Sequence, residues 1–168
     1  IAEITKKTAL SMQNIVLIGM PGCGKSMVGR LLAERLGREL LDADAAVEAA
    51  AGCTIPEIFA QGGEAAFRRM ETQALEALGK RSGCVIATGG GCVTRAENYP
   101  LLHQNSVIVW LQRDTARLPS KGRPLSQNAD LAAMYAVRAP LYARFSDYSA
   151  DNNGSPEETV RHIMEVLS

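Results

Sequence analysis

Residues 19–26 read Gly19-Met20-Pro21-Gly22-Cys23-Gly24-Lys25-Ser26, a complete G-x-x-x-x-G-K-S pattern. An apolar run, Asn14-Ile-Val-Leu-Ile18, comes directly before it, and Val28, Leu31, Leu32 and Leu36 recur at helical spacing directly after it. Strand, glycine loop and helix in that order form the context in which the pattern has a physical meaning. Gly19, Gly22 and Gly24 let the backbone curl so that successive N–H groups face one point. The positive end of the following helix adds to the same anion site. Lys25 supplies a cation for β- and γ-phosphates, and the Ser26 hydroxyl suits Mg²⁺. Gly22, Cys23, Gly24, Lys25, Ser26 and Met27 are therefore the expected contacts to ATP or GTP with Mg²⁺.

The rest of the chain alternates strands and helices, which implies a parallel sheet covered on both faces. Strands are expected at 14–19, 39–41, 84–87 and 107–111, with a possible edge strand at 148–150. Helices are expected at 25–36 and then in an alanine-rich stretch ending at Gly52. Thr54-Ile-Pro-Glu57 is a capping box that opens a short helix. Gly62-Gly63 breaks that helix, and a longer one runs from Glu64 to about Leu78. Further helices are expected at 94–104 and 129–145, and Ser155-Pro-Glu-Glu158 caps the last one. Residues 112–128 are polar, contain Pro119, Gly122 and Pro124, and read as a lid of about 113–126. Residues 1–11 read as a linker, an appended remnant or the end of an upstream segment, with 12–168 as one domain.

Charge and cysteine usage exclude some function classes. Lys plus Arg and Asp plus Glu number 18 each, and a nucleic-acid binder needs a basic excess. No apolar run approaches membrane-spanning length. Cys23, Cys53, Cys84 and Cys92 are widely spaced and form no C-x-x-C pair. Free thiols in a reducing cytosol are the simplest account of them, although a helix N-terminus lowers a thiol pKa and marks Cys23 as a reactive candidate.

A phosphate loop does not distinguish a motor, a switch and a kinase. No N-K-x-D guanine reader is present, and a compact chain with a lid suggests phosphoryl transfer to a small molecule. Asp42 and Asp44 stand at the end of the second strand, the edge where open parallel sheets bind ligands. One could steer a Mg²⁺ shell and the other orient or deprotonate an acceptor hydroxyl, or either could simply cap the next helix. Gly89-Gly90-Gly91 follow the third strand at that edge and permit close backbone approach. Arg68, Arg69, Arg123 and Arg138 each have the planar fork that suits carboxylate or phosphate, and the residues alone do not choose among them.

Taken as an ordered set, these segments resemble the shikimate kinase family from about Asn14 to the C-terminus. The discriminating parts are the glycine loop, Leu40-Leu-Asp-Ala-Asp44, Gly62-Gly-Glu-Ala-Ala-Phe-Arg-Arg69, the triple glycine, Gly122-Arg-Pro-Leu125 and Arg138-Ala-Pro-Leu-Tyr142. The resemblance implies a three-layer P-loop NTPase fold of the nucleoside-monophosphate-kinase type around a central parallel five-stranded sheet. It implies ATP-dependent phosphorylation of the shikimate 3-hydroxyl in aromatic amino-acid biosynthesis, by a cytoplasmic enzyme that is monomeric or part of a longer fused polypeptide. Asp44 would contact the hydroxyls and act as base, with Lys25 and Arg123 on the transferring phosphate. Asp42 and Ser26 would organise Mg²⁺. Arg68 and Arg138 would clamp the carboxylate, with Gly89, Gly90 and Gly91 alongside. Phe59 and Phe67 would line the pocket, or serve as core. Arg117 stands where the family places an adenine-side arginine, while the loop Asp151-Asn-Asn-Gly-Ser155 lacks the arginine often found near adenine. A gluconate or nucleoside-monophosphate kinase, or a regulatory nucleotide-binding module, are the competing readings.

Overall fold

The computed structural model describes residues 12–118 and 125–168, with side chains from Asp130 onward in the second stretch. The first strand, β1 (Asn14–Ile18), is buried at all five positions, as a central parallel strand must be. The glycine loop leads into α1 (Lys25–Leu36), which stops at Gly37. Gly37 takes φ 64° and returns its amide to the carbonyls of the last turn, a stop that a Cβ would strain. Next come β2 (Leu40–Asp42), α2 (Ala43–Ala51), α3 (Ile55–Gly79) and β3 (Val85–Ala87). The chain continues through α4 (Asn98–His103), β4 (Ser106–Gln112), α5 (Leu125–Phe145), β5 (Tyr148–Asp151) and α6 (Pro156–Leu167).

The strand order is β2-β3-β1-β4-β5, and every pairing is parallel. This is the five-stranded sheet expected from the sequence, with the strand at Tyr148 on its edge. Helices lie on both sides: α1 packs with α6, while α2, α3 and α4 pack in series. Between them lies one main apolar core, in which Leu17, Leu32, Leu75, Ile86, Ile108 and Ile163 are almost fully buried. At the amino edge, fully buried Asn14 donates Nδ2 to Arg81 O (2.7 Å) and accepts from Cys84 N (2.9 Å). Beside it the Met12 carbonyl accepts from Gly83 N (3.0 Å) and Asn105 Nδ2 (3.4 Å), so the chain enters the sheet at this edge.

Several boundaries differ from the sequence expectation. Asp44 is not at a strand end but in the first turn of α2, because the Asp42 carboxylate caps that helix by accepting from Asp44 N and Ala45 N. Thr54 and Ser155 cap their helices as expected. The break expected at Gly62-Gly63 is present: inside α3 the backbone at Gly63 takes φ 73° and ψ −173°, so two helical segments meet there at a kink. The helix expected at 94–104 is a 3₁₀ turn at Cys92–Thr94 followed by the short α4. The helix expected from 129 already begins at Leu125, so it takes in the end of the expected lid. Residues 1–11 and 119–124 lie outside the described residues, and with them the centre of that lid and Arg123.

Gly79 shows how closely α3 and α4 approach. A Cβ there would overlap the Leu101 carbonyl oxygen. Gly79→Ala must therefore push backbone against backbone, and it should cost about 1–3 kcal/mol in urea denaturation. A midpoint equal to that of the parent would show that the two helices separate freely.

Candidate active site

Strand register brings the site together. Ala87 of β3 pairs with Leu17 of β1 and with Asp42 of β2. Three connections therefore leave the sheet at one level: the glycine loop, the start of α2, and residues 88–91. The strand order also reverses here, since β3 and β4 flank β1 on opposite sides, and a crevice opens at the carboxyl ends of such strands. A cleft of about 500 Å³ occupies that position. Gly22, Gly24, Lys25, Ser26 and Met27 line it, with Asp42, Asp44, Gly89 and Gly90 opposite and Arg30 one helical turn beyond.

Lys25 is only 8 % exposed. Its ammonium donates to Gly19 O (2.7 Å) and Met20 O (2.9 Å), which closes the loop upon itself. The Cys23 amide, expected among the phosphate donors, instead donates to Met20 O (3.1 Å), and its side chain is buried. An inward-turned amide and a covered thiol remove Cys23 from the cleft surface. Burial also pushes the Cys92 thiol up to about 11, which leaves it protonated and inert near neutrality.

The triple glycine works by lacking side chains. A Cβ on Gly89 would come within 2.9 Å of Asp44 Oδ1 and 3.1 Å of Glu71 Oε2. On Gly90 it would meet the Pro21 ring at 2.7 Å, and on Gly91 it would collide with the Arg68 guanidinium. Tyr142 OH donates to Gly90 O (2.5 Å) and fixes this loop from α5. Arg138, one turn earlier on α5, lies beside the Tyr142 hydroxyl and within electrostatic reach of Glu71. Arg68 pairs with Glu71 (2.9 Å) and Glu64 (3.4 Å), and it rides over the Phe67 ring at 5.1 Å.

Of the sequence candidates, the structure thus gathers Lys25, Ser26, Asp42, Asp44, Arg68, Arg138 and residues 89–91. Arg69 is exposed on α3 and away from this group. Phe67 is buried in a small cluster with Val47 and Ile58, while Phe59 is 40 % exposed and stacks on Phe67 at 5.1 Å. Arg117 donates Nη1 to Asn153 O (2.8 Å), at the loop between β5 and α6.

The charges are mixed and partly desolvated. Burial raises the Asp44 carboxyl above its ordinary value of 3.8, and Asp42 adds to the rise, while Lys25 and Arg68 oppose it. Glu71 is also raised, chiefly by burial, with Arg68 pulling it down. Glu71 is 1 % exposed, and its Oε2 has no hydrogen-bond partner among the described residues. A buried, unsatisfied carboxylate oxygen is costly in a folded protein, and this one lies against Gly89.

A sequence model of the family described as shikimate kinase matches residues 21–168. The chain belongs to the shikimate kinase family. The shikimate kinase of Parasynechococcus marenigrum (strain WH8102) is 43 % identical over 176 residues, covering 99 % of this chain and 92 % of that protein. The solved shikimate kinase of Acinetobacter baumannii in complex with shikimate superposes with a TM-score of 0.86 at 37 % identity, covering 96 % of both chains. A gluconokinase from Sinorhizobium meliloti, covering 94 % of this chain and 92 % of its own, reaches a TM-score of 0.52 at 17 % identity and shares the fold alone. Family members of this kind take ATP as substrate.

The sequence reading missed Glu71, Tyr142 and Asn152. Glu71 had a signal, since it follows Arg68 by three on one helix face. Tyr142 closes the segment Arg138-Ala-Pro-Leu-Tyr142, but its partner Gly90 is 52 residues away, and the partner of Asn152 at Cys23 is 129 residues away, so neither bond shows locally.

Asp44 also predicts a stability profile. A folded-state pKa raised above the unfolded value means that the charged form opposes folding, so its contribution is lost as pH rises through the folded pKa. Asp44→Asn removes the charge. The variant should melt about 1–3 °C above the parent at pH 7.5, with the difference closing as pH falls toward 4. A gap that widens toward acid would contradict the direction of the shift.

Proposed function

We infer that this chain transfers the γ-phosphoryl group of ATP to the 3-hydroxyl of shikimate, giving shikimate 3-phosphate and ADP. One observation carries the reading: Asp44 lies within electrostatic reach of both Lys25 in the phosphate loop and Arg68 beside the triple glycine. A single carboxylate is thereby set between an anion cradle and a second cationic site. Shikimate is a small carboxylate with three hydroxyls, and it needs cations at one end and a hydroxyl acceptor at the other.

The glycine-loop amides and Lys25 take the β- and γ-phosphates. Arg68 and Arg138 take the acceptor's carboxylate as planar forks. Asp44 receives the hydroxyl proton as that oxygen forms its bond to the γ-phosphorus and the bond to the β–γ bridging oxygen breaks, so ADP departs with the bond's electrons. The raised Asp44 pKa brings its basicity nearer to neutral pH, which favours proton transfer. Positioning and charge stabilisation supply most of the rate in such transfers.

Magnesium fits the residues present. Ser26 and Asp42 line one cleft and offer hard oxygen donors. Asp42 Oδ1 is committed to capping α2, which leaves Oδ2 for a hydrated cation. When bound, Mg²⁺ neutralises charge on the β- and γ-phosphates.

The direct test is ADP release with ATP and a panel of shikimate, gluconate, AMP and no acceptor. Turnover is expected with shikimate alone, and a preference for gluconate would replace the reading. Asp44→Asn should lower kcat about 10²–10⁴-fold, and near-parental turnover would remove Asp44 from the proton transfer. Arg138→Ala should raise the KM for shikimate at least about tenfold, the loss of one charge-assisted contact, and leave the KM for ATP within about twofold. An equal rise in both constants would assign Arg138 elsewhere.

A further inference from the structure

Asn152, in the connection between β5 and α6, is 2 % exposed, and its polar groups bond to residues 112–113, to α6 and to the phosphate loop. Its amide donates to Gln112 O (2.7 Å) at the end of β4. Its carbonyl accepts from Arg113 Nη1 (2.8 Å). Side-chain Oδ1 accepts from Thr159 Oγ1 on α6 (2.7 Å), and Nδ2 donates to Cys23 O in the phosphate loop (2.7 Å). The segment Asp151-Asn-Asn-Gly154 reads as a surface turn, in which asparagine ordinarily bonds its own neighbours. Asn153 does that, through Asp151 Oδ1. Asn152 is turned the other way, into the protein.

The bond to Cys23 has a directional consequence. Across a trans peptide the C=O and the next N–H point to opposite sides. The carboxamide draws the Cys23 carbonyl away from the cleft, and this aims the Gly24 N–H toward the cleft that Gly24 lines. Gly24 sits at φ 100°, and a Cβ on it would come within 2.5 Å of Asn152 Nδ2. The loop therefore rests directly on the carboxamide, with no room for the peptide to swing. The Cys23 carbonyl sets the orientation: it can only accept, so Nδ2 must face it, and Oδ1 is left to accept from the Thr159 hydroxyl.

We propose that Asn152 is a positioning residue for the nucleotide phosphates. It holds the peptide between Cys23 and Gly24 in the orientation that an anion requires, and through its own main chain it fastens that peptide to Arg113. Because Arg113 Nε also donates to Arg117 O (3.3 Å) and Arg117 to Asn153 O (2.8 Å), both arginines and the phosphate loop share one rigid support. The proposal rests on the reading of the cleft as the ATP and shikimate site.

The test uses the full chain with Asn152→Ala and, separately, Thr159→Val. ADP affinity is measured by calorimetry, and the KM values for ATP and shikimate by ADP release. Asn152→Ala should weaken ADP binding and raise the KM for ATP about tenfold, the effect of one buried hydrogen bond, while the KM for shikimate stays within about twofold. Thr159→Val keeps the threonine shape but removes the donor that braces Oδ1, so the same two quantities should shift about two- to fivefold. Unchanged ADP affinity in either folded variant overturns the proposal, as does an equal rise in both KM values. If Asn152→Ala does not fold, Thr159→Val decides alone. Failure of the functional reading is distinct, since the parent itself would then show no shikimate-dependent ADP release.

Discussion

A Cβ on Gly89, Gly90 or Gly91 would fall on atoms of the Asp44 and Glu71 carboxylates, the Pro21 ring or the Arg68 guanidinium, and the rest of the site follows from that crowding. Three elements converge on one strip of bare backbone: the phosphate loop after β1, the first turn of α2, and the face of α3 that carries Arg68 and Glu71. Side chains on the strip would hold them apart. With none, Asp44 and Glu71 come close to Lys25 and Arg68, and burial follows from that approach. The raised pKa values of Asp44 and Glu71 are the electrostatic result of that proximity.

The site is consequently a place where stability is given up. Among the described residues Glu71 keeps an oxygen without a partner, burial opposes the charge of Asp44, and Lys25 turns its ammonium to main-chain carbonyls. Functional sites in folded proteins commonly carry such costs. The Arg68–Glu71 pair shows the compromise most directly: the carboxylate fixes the guanidinium's direction, yet at 2.9 Å it takes only one of its faces.

Much of this was legible in the sequence because the decisive features are local. The glycine loop, the strand before it and the helix after it are contiguous, and so are the capping residues Thr54 and Ser155. The parallel sheet followed from alternation, and the family from an ordered set of short segments. The errors came where tertiary context overrides local pattern. Asp44 was placed at a strand end because nothing in Leu40-Leu-Asp-Ala-Asp44 shows which aspartate caps the helix. The turn that brings the Cys23 amide to Met20 is visible only in the folded loop. The partners of Tyr142 and Asn152 depend on how β5 and α5 settle against the opposite end of the chain, and no window of sequence holds that information.

The chain enters the sheet at Met12, whose carbonyl is pinned by Gly83 and Asn105, whereas every group of the cleft lies at the far end of the strands. Five residues of β1 separate the two, a rise of about 16 Å. Met12 itself therefore marks the floor of the molecule, opposite the mouth of the cleft.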